Sequence, residues 1–172
     1  MATRDRADIQ RTLKNLENSL DPENYRSIKQ FIDHCTAEGI SELRQQRHAQ
    51  SLKSLLINFS PSDFQLKDAS EEELKTVVAN LNRSEFADAT KRTMRGTVKK
   101  FYKIENGGRE HPEKVDFISL TRKKDTQVTR DDLFTEDDLK QLFKSFTSTR
   151  DRALTMVLYE SAARPGEMLE AS

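Results

Sequence analysis

The chain has no tryptophan, one cysteine, 5 glycines and 4 prolines, and its 29 basic residues balance 29 acidic ones. Each scarcity closes off a class. An all-β sandwich needs a turn every few residues, and so few glycines and prolines cannot supply them. A lone thiol, Cys35, allows no internal disulfide, which fits a reducing, cytoplasmic setting. Among Phe31 and Ile32 it reads as a packing residue. No apolar run approaches the roughly 18 residues a membrane span needs, and Met1–Arg6 lacks the apolar core of a signal peptide. With no net charge, affinity for nucleic acid has to come from local clustering. The three histidines, His34, His48 and His111, have no cysteine or carboxylate at ligand spacing, so no metal and no cofactor are expected. No small-molecule substrate is indicated.

What the chain does have is helical periodicity, and an all-α fold is expected. Ile9, Leu13, Leu16 and Leu20 recur at helical spacing. Asp21-Pro22 starts a second helix, with aspartate as cap and proline in the first turn. Its face is Tyr25, Ile28, Phe31, Ile32 and Cys35, and Gly39 ends it. Ser41 caps a third helix bearing Leu43, Leu52, Leu55, Leu56 and Phe59, which Ser60-Pro61 breaks. Ser70 and Glu73 form a capping box ahead of Leu74, Val77, Val78 and Leu81. A fifth helix runs from about Asp88 to Glu105 and closes on Asn106-Gly107-Gly108. Residues 1–108 are thus expected to form a small helical bundle. Residues 109–132 read as an interdomain linker of extended character, with Val115, Phe117, Ile118 and Leu120 roughly alternating. A second unit, 133–172, opens on Thr135 as cap, with Glu136, Asp137 and Asp138 in the first turn. That acidic group is read as dipole complementation and not as a metal site. Leu139, Leu142, Phe143 and Phe146 form the expected buried face, and a further helix begins near Thr149. Roughly 40 residues rarely fold alone.

Two features carry chemistry. Arg164 follows a helix and stands at the cap of the next one, with Pro165 at its first position and Glu167 where a carboxylate reaches back to free N–H groups. A guanidinium beside a helix start is suited to a phosphate. The fifth helix holds six basic residues and no acid between Lys91 and Lys103. Arg92, Arg95, Lys99 and Lys103 share one stripe, and Met94, Val98 and Phe101 another. One side can pack while the other meets a phosphate backbone, and Gly96 beside the stripe permits close approach. Arg44 and Arg47 offer a second strip, and Arg122, Lys123 and Lys124 a third. A solvated basic face with no ligand is the plain alternative for each.

Three stretches in order resemble the tyrosine recombinases, the phage-integrase family in its archaeal or bacterial form. They are Phe134-Thr135-Glu136-Asp137-Asp138, Arg150-Asp151-Arg152-Ala153-Leu154, and Ala162-Ala163-Arg164-Pro165-Gly166-Glu167. Thr90–Tyr102, ending in Lys100-Phe101-Tyr102, is similar to the last helix of that family's core-binding domain. The family usually has glycine where Ala162 stands and an apolar residue in place of Pro165. The resemblance implies a SAM-like core-binding bundle, then the first helices of a catalytic domain. It implies that Arg164 grips the scissile phosphate with Glu167 in support, and that the partners are double-stranded DNA and other recombinase protomers. The family's β-hairpin lysine, His-x-x-Arg group and nucleophilic tyrosine do not follow Arg164. The chain is therefore expected to be a truncated, DNA-binding portion without strand-cleavage activity. The rival expectation is a non-catalytic helical regulatory or protein-interaction module.

Overall fold

The computed structural model describes residues 8–121, 133–162, 164, 166 and 167. The described residues form seven α-helices and one short 3-10 turn, and no strand. The helices are α1 Ile9–Glu17, α2 Pro22–Ala37, α3 Glu42–Phe59, α4 Glu71–Arg83, α5 Asp88–Glu105, α6 Glu136–Ser145 and α7 Thr149–Ser161; the turn is Glu113–Val115. None is long and apolar enough to cross a membrane. The chain divides into two units, 1–122 and 123–172.

Local chemistry sets most boundaries of the first unit. Asp8 caps α1 by accepting from the Arg11 N–H (2.9 Å). The Asp21 carboxylate accepts from the N–H groups of Glu23 and Asn24 (3.1 Å each), and Pro22 occupies the first turn of α2. At α4, Ser70 accepts from Glu73 N–H while Glu73 accepts from Ser70 N–H, a closed capping box. These Ser70 bonds hold the Glu73 carboxyl below its usual range. Gly39 (φ +73) ends α2 in the left-handed region, where a side chain is strained.

α3 is the hub and packs against α1, α2, α4 and α5. Its buried side chains are Gln45, Ala49, Leu52, Leu55 and Leu56. Leu43 is 55% exposed, because at about 100° per residue it stands on the opposite side of α3 from Leu52. Cys35 is fully buried, and burial pushes its thiol up. The loop between α3 and α4 also enters the core through Phe64, Leu66 and Ala69. Asn24 fixes that loop: its amide donates to the Phe64 carbonyl (2.7 Å) and accepts from the Leu66 N–H (2.7 Å).

The stretch after α5 departs from the linker expectation over its described part. Val115 and Ile118 are buried in the bundle's core. Lys114 donates to the Ala69 carbonyl (3.0 Å) with its ammonium 4.4 Å from the Tyr102 ring centroid. Tyr102 is buried, and its hydroxyl donates to the Leu66 carbonyl. The segment closes the bundle as a strap, so the first unit extends beyond residue 108. The turn at 113–115 contacts α4, and of the segment's apolar residues Val115 and Ile118 are buried while Phe117 and Leu120 are exposed.

In the second unit, Thr135 and Asp138 form a capping box at α6. Ser148 caps α7 through the Asp151 N–H (3.4 Å). Leu139, Leu142, Phe143 and Phe146 are half-buried, and neither helix has a fully buried residue.

Candidate nucleic-acid interface

A cleft of about 1180 Å³ opens in the first unit between the start of α3 and one face of α5. Arg44 and Arg47 lie on its α3 wall, Arg92, Gly96 and Lys100 on its α5 wall, and His48 and Thr97 also line it. Arg44 and Arg47 are exposed, and neither side chain makes a hydrogen bond or ion pair with a described residue. Arg92 is partly committed: its Nε–H donates to the Leu120 carbonyl at 2.8 Å. Lys100 pairs with Glu38 (2.9 Å) and holds the Glu38 carboxyl below its usual range. Ser41 caps α3 by position but makes no side-chain cap bond. Ser41 also lines the cleft, so the start of α3 there has no capping side chain.

His48 sits where the two walls meet. Thr97 donates its hydroxyl proton to the Thr93 carbonyl (3.1 Å), so its oxygen accepts from His48 Nδ1–H (3.0 Å). That leaves Nε2 as a bare acceptor, buried and without a hydrogen-bond partner among the described residues. Burial, with Lys100 and then Arg44 nearby, lowers the imidazole's affinity for a second proton.

The expected basic residues are thus sorted by the fold. Arg44, Arg47 and Arg92, read from two separate helices, meet at one cleft. Arg95, Lys99 and Lys103 do not line it and are half-buried. Lys99 reaches the Ile118 carbonyl at 3.4 Å, and Arg95 Nε is buried without a partner among the described residues. Lys100, absent from the expected set, is a cleft residue. Its spacing was the available signal, because Arg92, Gly96 and Lys100 repeat every fourth residue and so form one ridge. Lys123 and Lys124 lie outside the described residues.

In the second unit, Glu167 accepts from the Arg164 backbone N–H (2.9 Å), and Glu167 N–H donates to the Arg164 carbonyl (2.9 Å). The carboxylate does reach back, and the Arg164 side chain is exposed. Ala162 ends α7 with φ 50 and ψ 18, in the left-handed region that glycine adopts without strain. Tyr159 is exposed and Tyr102 is buried. Among the described residues, no group of three His, Cys, Asp or Glu side chains is placed to hold a metal ion.

Compared with known proteins, the chain matches no family model, no curated protein and no solved structure.

Proposed function

We propose that this chain is the DNA-binding portion of a site-specific tyrosine recombinase or integrase. It holds double-stranded DNA mainly by the backbone and works beside other protomers. The observation that carries the reading is the convergence of Arg44, Arg47 and Arg92 on one concave surface. Exposed guanidiniums on facing walls, with Arg92 held only through Nε, suit phosphate oxygens, which accept paired N–H bonds from the planar fork. The first unit plays the part of a SAM-like core-binding bundle, and the second supplies the opening helices of a catalytic domain.

Two features of the second unit support the same reading. The Arg164–Glu167 box sets the arginine at a helix start with its guanidinium free. Ala162 adopts the backbone conformation that suits the glycine the family usually has there. In the intact family reaction a tyrosine attacks the scissile phosphate. Tyr25, Tyr102 and Tyr159 all precede Arg164 and take no part in such a step; the cleft arginines and Arg164 bind phosphate.

The test is a titration of labelled duplex DNA by fluorescence anisotropy across salt. Three phosphate contacts give log K falling against log salt with a slope of about −3. Affinity indifferent to salt, or none at low salt, sinks the reading. A second reading, a helical protein-interaction module, is favoured by Leu133 (59% exposed) and Phe134 (73% exposed) and by the open apolar residues of α7. It predicts no binding to random duplex at low salt.

A further inference from the structure

Gly96 is a notch in an otherwise continuous ridge. Arg92, Gly96 and Lys100 follow one another at every fourth position of α5 and all line the cleft. Successive members are one turn apart, with Cβ positions about 6 Å from each other. Two cationic side chains therefore flank a position with no side chain at all.

Glycine inside a helix loses backbone entropy that alanine would not, so it carries a standing penalty there. Packing does not require it. A Cβ built at Gly96 meets one side-chain atom, Leu120 Cδ2, at the ordinary contact distance of 3.9 Å, and nothing from α3. The backbone does not require it either, since Gly96 lies in regular helix and outside the positive-φ glycines. What the missing side chain does provide is open helix backbone on the cleft wall, faced by Arg44 and Arg47.

We propose that Gly96 is the seat of a backbone phosphodiester. One strand of the duplex crosses α5 there in van der Waals contact with the helix, its phosphate oxygens held by Arg92 and Lys100 on the ridge and by Arg44 and Arg47 opposite. This rests on the DNA-binding reading above and adds a position to it: affinity is set by a steric gap as well as by charge. Lys100 reaches the phosphate by exchanging its bond to Glu38, an exposed pair that phosphate can displace.

The experiment compares the full chain with Gly96→Ala and Gly96→Gln, neither of which changes charge. Gly96→Ala should raise Tm by about 2–4 °C and weaken duplex binding about tenfold. Gly96→Gln should weaken binding further. The salt slope should stay that of the wild type, because no phosphate contact is lost by charge. Wild-type affinity in Gly96→Ala overturns the seat while leaving the DNA-binding reading standing. A fall in Tm overturns it too, by showing that the fold needs the glycine. Absence of salt-dependent binding in the wild type itself overturns both.

Discussion

His48 on α3 donates through Nδ1 to the hydroxyl of Thr97 on α5, 3.0 Å away, and its other nitrogen is buried with no partner among the described residues. The pair ties the two walls of the basic cleft together. Protonation at Nε2 would leave that bond in place but would set a charge in a buried site beside Lys100 and Arg44.

A pH dependence follows. The ordinary imidazole value is 6.5, and the folded value lies below it. The unfolded chain therefore takes up the proton first as pH falls. This contribution to stability is complete above about 6.5 and is lost as pH drops toward the lower folded value. Tm should decline between about pH 7 and pH 5, and His48→Gln should flatten that decline. An equal decline in the variant would remove His48 as its source.

Charge at the cleft and charge elsewhere on α5 should behave differently. Arg44→Ala and Arg47→Ala should each lower the steepness of the salt dependence by about 1. Lys103→Ala, which changes a cation away from the cleft, should leave it unaltered. Anisotropy titrations at four salt concentrations, with sequence-unrelated duplexes as controls, separate these outcomes.

The strap after α5 gives a stability prediction. A free linker would tolerate Ile118→Ala without cost. A buried core residue should lose about 2–4 kcal/mol on truncation, read from urea unfolding. A change under about 0.5 kcal/mol would return the strap to linker status.

The contrast between these sites shows what the sequence makes legible. Caps at Asp21, Ser70 and Thr135 were readable because each bonds within its own first turn. The turn at Gly39 and the glycine pair after α5 were readable for the same reason. Val115 and Ile118 were not, since what buries them is packing with residues distant in the chain. The exposure of Leu43 was legible too, since at about 100° per residue it falls on the far side of α3 from Leu52. The cleft needed both kinds of information. Its arginines stand out in the sequence, but which flank of α5 turns toward α3 is decided by docking, and so Lys100 replaced Lys99 and Lys103 as a wall residue.

At the end of α7, Ala162 bears a left-handed backbone that glycine would adopt freely. Ala162→Gly should stabilise that terminus by about 0.5–1 kcal/mol, the left-handed penalty less glycine's added entropy. Slower amide exchange in the last turn of α7 is the expected reading. Faster exchange would mean that alanine's methyl contributes more by contact than its backbone loses by strain.

The sheltered sulfur of Cys35 turns the molecule into its own opening sensor. It is the sole thiol of the chain and is sealed inside the bundle, so a maleimide dye reaches it only when the helices part. Labelling rates on the unmodified polypeptide then count those openings directly, and any nucleic acid that grips the closed bundle should slow them.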